Sequence, residues 1–335
     1  VSARRSPTLE DVAAHAGVSR ATASRVVNDD PRVRDHARAA VAAAIAELGY
    51  RPNRAARSLV VREPDSVSVL IHEPDARIFA DPFFGGLLRG VGQRLSRTSL
   101  QMVLLMGDPE TDSSRMVRYL RGGHTDGVIV VSAHRSEELI RALLETRLPT
   151  VFVGRPLADP DTFPYVDVDN REGGRLATRR LVERGCRRIA TISGPGDMAA
   201  GVDRLEGWGE VVRDAGLDTD LVVPGDFTAS GGAAAMRRLL EAAPDLDGVF
   251  AASDLMAAAA MSELHATGRR VPDDVALVGF DASAAAGMTH PPLTTVSNPV
   301  SEMAVRATDL LLRRMEGEQV EPEILPTRLV PGGTA

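Results

Sequence analysis

A small all-α head followed by an α/β body of two doubly wound parallel-sheet lobes is the fold class this sequence predicts, and three observations predict it. The chain has 335 residues, more than one hydrophobic core organises, and 44% of them are hydrophobic. Its charge is divided: residues 1–62 hold 11 Arg against 6 acids, and the remainder holds 28 Arg against 40 acids, within a net charge of −7. From residue 66 onward, short β-rich runs alternate with helical stretches in two successive rounds.

The charge division points to a polyanion partner for the head alone. The chain contains no lysine, so arginine content by itself says nothing about phosphate binding. Apolar runs such as 128–131 and 249–252 are strand-sized, and none in the sequence approaches the ~18 residues of a membrane span. Arg4 and Arg5 are not followed by an apolar segment of the secretory type. Cys186 is the only cysteine, which excludes an internal disulfide and a cysteine-only metal cage. A cytoplasmic, nucleoid-associated protein with no cofactor and no metal is expected.

In the head, Thr8 is an N-cap, Glu10 and Asp11 occupy the first turn, and Leu9, Val12, Ala13 and Ala16 recur at helical spacing. Gly17 and Val18 interrupt this helix, and Ser19 caps a second one over 20–28. A third runs from about 35 to 48 and stops at Gly49. Two short helices joined by a tight glycine turn, then a third, form a helix-turn-helix, whose second helix enters the major groove N-terminus first. Arg20, Ala21 and Arg25 then face base edges, with Arg25 suited to a bidentate contact to guanine. Ser19, Thr22, Ser24 and Asn28 contact phosphate. Ala13, Val18, Ala23, Val26 and Val27 supply a small core.

Beyond Gly49, Pro52 blocks helix continuation, Asn53 can cap, and residues 54–60 make about two turns of a helix too short to stand alone. The string TLEDVAAHAGVSRATASRVVN, followed by AELGYRPNRAARSL, resembles the DNA-binding head and hinge of the lactose/galactose repressor (LacI/GalR) family. The resemblance implies that two hinges, one per subunit, pair in the minor groove through Asn53, Ala56, Arg57 and Leu59. Leu59 would be the apolar wedge between the central base pairs. Ala23 departs from the family's usual valine on the packed side.

The body reads as strands at 66–71, 101–105, 127–131 and 150–153 with helices at 84–97, 113–121 and 136–145 between them. A second round has helices at 173–184, 202–215, 230–242 and 254–266, and strands at 188–192, 221–224, 248–251 and 275–279. Such alternation gives parallel sheets covered on both faces, with a ligand site at the strands' carboxyl ends between the lobes. The segments leaving those ends are rich in carboxylates, arginine and aromatics, a chemistry suited to carbohydrate: charged planar groups take paired hydroxyls and a ring faces the sugar's C–H surface.

The strings VDVDNREGGR, ISGPGDMAAGVDRLEGW, GDFTASGG, FAASDLMAAAAM, VPDDVALVGFD and PPLTTVSNP extend the resemblance to the family's effector-binding core, which is like the periplasmic sugar-binding proteins. The contacts it implies are Asp169, Arg204, Phe227, Ser253 or Asp254, Asp281 and Asn298, with Phe79, Asp81 and Arg155 on the first lobe. IFADPFF, VGRPL and SGPGDMAAG most resemble family repressors that answer cellobiose, cello-oligosaccharides or related β-glucosides. The expected organisation is a head over 1–52, a hinge over 53–62, a first lobe of 63–168 and 298–324, and a second lobe of 169–297 and 325–335. The expected protein is a homodimeric repressor, not an enzyme, that binds a near-palindromic operator and is released by a small sugar. A different sugar or a nucleobase as effector is the alternative, and a sugar-binding protein without DNA function a remote one. Trp208, the single tryptophan, lies within a helix and is expected to pack in the core. Cys186 lies away from the strand ends, with no histidine near it in sequence.

Overall fold

The computed structural model describes residues 7–27, 29–50, 65–108, 112–132, 134, 137–158 and 160–335. It divides into two compact units, Val1–Pro64 and Asp65–Ala335. Asn28 and the hinge positions Asn53, Ala56, Arg57 and Leu59 lie outside the described residues.

The first unit contains α1 (Leu9–His15), α2 (Arg20–Val27) and α3 (Asp35–Leu48). Thr8 and Asp11 form a reciprocal capping box on α1. Gly17, at φ 67°, makes the turn into α2, and Gly49, at φ 63°, closes α3 with its N–H on the Ile45 carbonyl. Val12, Ala13, Ala23, Val41 and Ala44 are the buried centre, with Val18 and Val26 packed beside them, whereas Val27 is not in that cluster. His15 reaches Glu47 at 2.9 Å and joins α1 to α3.

The second unit holds two parallel sheets. Six strands lie in the order β11 (Glu323–Leu325), β5 (Tyr165–Val168), β4 (Thr150–Val153), β3 (Gly127–Val131), β1 (Ser66–Ile71) and β2 (Gln101–Met106). Four more lie in the order β7 (Val222–Pro224), β6 (Ile189–Ser193), β8 (Gly248–Ala251) and β9 (Ala276–Val278). A two-stranded ladder pairs β10 (Thr295–Val296) with β12 (Leu329–Val330).

Alternate residues of each buried strand feed opposite faces. In the first lobe Val67, Val69, Ile71, Ile129 and Val131 pack into one cluster, and Leu70, Val128, Val130 and Phe152 into another. In the second lobe Ala190, Ile192, Val249 and Ala251 face one way, and Ile189, Phe250, Ala276 and Val278 the other.

The covering helices are α4 (Asp75–Ala80), α5 (Pro82–Leu95), α6 (Ser113–Arg121), α7 (Glu137–Thr146), α8 (Asn170–Glu183), α9 (Ala199–Asp214), α10 (Ala229–Ala242), α11 (Asp254–Ala266), α12 (Ala284–Met288) and α13 (Val300–Met315). The short helix α4 occupies part of a segment that the sequence reads only as a strand exit. The helix expected over 84–97 starts earlier, at Pro82, because Asp81 caps it and proline suits a first helical position. Helix α13 returns the chain to the first sheet and packs on α5; a Cβ on Gly90 would lie 2.4 Å from the Ser301 carbonyl oxygen. Leu325, expected in the second lobe, is the last residue of β11 and packs in the first-lobe core.

Candidate functional site

The strands of both lobes end at one cleft, which is open to solvent. Arg77 and Asp81 enter from α4 and the cap of α5, Ser132 from just after β3, Arg155 from just after β4 and Asp167 from β5. From the other side come Met198 and Arg204 at the start of α9, Phe227 after β7, Ser253 after β8 and Asp281 after β9. Asn298 and Met303 close the wall.

A continuous polar line crosses this cleft. Asp167 accepts hydrogen bonds from the Arg155 N–H at 3.0 Å, the Val168 N–H at 2.8 Å and the Asn170 side chain at 3.0 Å. Asn170 Oδ1 accepts from Arg204 Nε at 2.9 Å, and Arg204 Nη1 donates to the Ala252 carbonyl at 2.7 Å. The same guanidinium stands 3.7 Å from Asp281, which accepts from the Asn298 side chain at 3.2 Å. Arg204 also lies 3.5 Å over the Phe280 ring.

Its position is set by two tight crossings of α8 and α9. A Cβ on Gly174 would lie 2.3 Å from the Arg204 carbonyl oxygen, and one on Gly207 would lie 2.1 Å from that of Arg171.

Burial shapes the charges. Burial lowers the Arg204 pKa, opposed by Asp281, Asp167, Asp254 and Asp81. Burial likewise raises Asp281 above the usual carboxylate range despite Arg204, and raises Asp254, Asp167 and Asp81 against their hydrogen bonds. Phe227 and Asp281 hold φ 64° and 114°, backbone that a non-glycine residue adopts at a cost of about 1–3 kcal/mol, a pattern typical of ligand-binding turns. Phe227 has Arg77 of the first lobe 5.0 Å and Arg204 of the second 5.6 Å from its ring centre. Arg77 Nε and Asn298 Oδ1 are buried without a protein hydrogen-bond partner, an orphan donor and an orphan acceptor on the lining of one cleft.

Of the residues singled out in the sequence, Asp81, Arg155, Arg204, Phe227, Ser253, Asp281 and Asn298 are brought together here. Phe79 is not: it is 76% exposed and off the cleft wall, because the turn of α4 that points Arg77 inward points Phe79 out. Asp169 is exposed and caps α8, accepting the Glu172 N–H at 2.9 Å. Between Ser253 and Asp254 the geometry selects Ser253. Asp254 is fully buried behind the wall, where its carboxylate accepts from the Ser283 N–H at 2.7 Å and Thr295 Oγ1 at 2.6 Å.

Arg77, Asp167, Ser132, Met198 and Met303 were not singled out. For Asp167 the signal was present: residues 167 and 169 share one face of an extended VDVD run, and only the first is still in the strand. Trp208 is buried in the second-lobe core. Cys186 lies in the same core, and burial pushes its thiol up to about 11, which suits packing rather than nucleophilic chemistry.

In the first unit, Arg20, Ala21 and Arg25 are exposed on α2. Arg20 pairs with Glu10 at 2.5 Å. Ser19 Oγ accepts the Thr22 N–H at 3.1 Å and lies 2.9 Å from Thr22 Oγ1, so both hydroxyls form the cap of α2, and Ser24 is half-buried.

Residues 8–53 match the family model described as bacterial regulatory proteins, lacI family, and residues 178–335 match that of the periplasmic binding protein-like domain. The HTH-type transcriptional regulator CelR of Thermobifida fusca is 50% identical over 332 residues, 98% of each chain. The ribose operon repressor of Halalkalibacterium halodurans is 37% identical over 326 residues, 96% of this chain and 95% of that one. Among solved structures, a transcriptional regulator CelR–cellobiose complex superposes with a TM-score of 0.79 at 46% identity over 98% of this chain and 100% of that one. A lac repressor dimer bound to operator and the anti-inducer ONPF gives 0.85 at 27% identity, over 98% of this chain and 99% of that one. Two family models in the expected order, and full-length relatives well above 30% identity, show that the chain belongs to the LacI family of bacterial regulatory proteins.

Proposed function

We propose that this protein is a sugar-responsive transcriptional repressor whose effector is cellobiose or a closely related β-glucoside. It acts in the cytoplasm as a homodimer on a near-palindromic operator and has no enzymatic activity. The observation that carries the reading is the cleft: Asp81, Asp167 and Asp281, with Arg77, Arg155 and Arg204, line it together with Phe227 in a chain half identical to CelR over 98% of its length. Carboxylates and guanidinium groups take paired hydroxyls, and a buried ring serves a C–H face. Ribose, suggested by the relatives named ribose operon repressors, is the second reading.

In the head, Arg20, Ala21 and Arg25 read base edges while Ser19, Thr22, Ser24 and Asn28 contact phosphate. Asn53, Ala56, Arg57 and Leu59 form the minor-groove hinge. The supporting features are the exposed face of α2 and the net positive charge of residues 1–62. The cleft contacts are Asp81, Arg155, Arg204, Phe227, Ser253, Asp281 and Asn298, joined by Arg77 and Asp167. The head covers 1–52 and the hinge 53–62. The first lobe comprises 63–168 and 298–325, and the second lobe the rest of the body.

A thermal-shift panel of cellobiose, cellotriose, glucose, maltose, ribose and purines tests the effector. Cellobiose at ~100 times its Kd is expected to add about 2.7 kcal/mol of stability. No shift with cellobiose and a clear shift with ribose would replace the sugar assigned here.

A further inference from the structure

Besides the polar line, two charge bridges join the lobes across the cleft. One is Arg155 with Asp203, whose carboxylate oxygens lie 2.8 and 2.6 Å from the same guanidinium nitrogen. The other is His134, which follows β3. Its Nε2 lies 3.1 Å from Glu73 Oε1 of the first lobe, and its Nδ1 lies 2.7 Å from Asp197 Oδ2 of the second. Glu73 is buried and holds Arg77, which lines the cleft and stacks on Phe227.

An imidazole placed between two carboxylates can satisfy both only as an imidazolium. The neutral ring has one N–H, so its other nitrogen would turn a lone pair toward an acceptor. Charge balance points the same way. Glu73 and Asp197 carry two negative charges, and Arg77 with protonated His134 supplies two positive ones. Among the described residues, the other ionisable groups facing this cluster are the buried His72, Asp108 beside it, and Asp81, which faces Glu73 and Arg77.

We propose that His134 is a proton-dependent positioning residue of the cleft, which as imidazolium straps Glu73 to Asp197, draws the lobes together and fixes Arg77 beside Phe227. The strap holds whatever ligand the cleft takes; its link to effector affinity rests on the cleft being the effector site. Burial disfavours the charged ring, but the bonds and charges of Glu73 and Asp197 outweigh it and place the His134 pKa above the ordinary histidine value. The strap is therefore complete below about pH 6.5 and is lost as the pH rises through the raised pKa of the closed form. The Arg155–Asp203 bridge contains no histidine, so it supplies a control for the strap.

The test uses the full-length, sugar-free protein, so its outcome does not depend on which sugar binds. Two introduced cysteines, one per lobe, carry spin labels, while the native Cys186 is buried. The inter-lobe distance distribution is recorded from about pH 6 to about pH 9, spanning the histidine range. Wild type is expected to shift toward longer distances as the pH rises. In His134→Gln the distribution should already be shifted at the low end and respond less to pH. Asp203→Asn should lengthen the distance while keeping the wild-type pH response.

A ring-nitrogen NMR titration reads His134 directly in wild type and in Asp197→Asn. Its midpoint should lie above the ordinary histidine value and fall when Asp197 loses its charge. Equal pH responses in wild type and His134→Gln, or a His134 midpoint unmoved by Asp197→Asn, would overturn the proposal. If the lobe distances behave as expected but cellobiose does not bind, the strap stands and only the sugar assignment falls.

Discussion

Asp281 and Arg204 stand at the centre of the cleft for a reason visible in their partners. Arg204 has its own hydrogen bonds to Asn170 and the Ala252 carbonyl and approaches Asp281 only to 3.7 Å, so the Asp281 carboxylate keeps acceptor capacity for a ligand hydroxyl. Asp281→Asn, which preserves shape at a left-handed backbone position, is expected to weaken cellobiose binding by roughly 10- to 100-fold, the worth of about 1.5–3 kcal/mol for a charge-assisted hydrogen bond. Operator affinity without sugar should be unchanged, and calorimetric titration alongside an operator-binding assay separates the two. Both residues were legible in the sequence, because they sit in strings that resemble a family's binding core. Arg77 was not. It lies on a six-residue helix, too short to show a helical period, and its inward direction depends on burial with Glu73 that no local pattern reveals.

At the scale of elements, the crossing of α8 and α9 does most to place the site, since it presses the backbone of Arg204 against Gly174 and that of Arg171 against Gly207. Gly174→Ala has no room for its methyl and must push the helices apart. A loss of about 1–3 kcal/mol of stability is expected, together with weaker sugar binding although residue 174 is not on the cleft wall. Urea unfolding combined with a sugar titration reads both effects.

The strands were legible as short, continuously apolar β-rich runs, as expected of strands covered on both faces, and β1, β3, β4 and β8 occupy the residues that reading assigns to them. Helix α13 carried a usable signal in Met303, Ala304, Ala307, Leu310 and Leu311, which recur at helical spacing. That it packs on α5, far back in the chain, is a tertiary fact that spacing does not contain.

For the whole molecule, a basic head and an acidic two-lobed body assign separate ligands to separate units. The two-round alternation of strands and helices made two lobes legible. The chain's last return was less so, because β11 and β12 are only three and two residues long and are fixed by the sheets they join. The proposed coupling is a difference in free energy: cellobiose must favour the arrangement of the lobes that orders the hinge poorly on DNA.

The measurement that tests this most directly is fluorescence anisotropy of a labelled operator duplex titrated with the full-length protein, at one fixed salt concentration, with and without saturating cellobiose. Typical coupling of about 1–3 kcal/mol predicts that operator affinity falls roughly 5- to 150-fold with the sugar present. Unchanged operator affinity, with calorimetry showing cellobiose bound in the same buffer, would contradict the account.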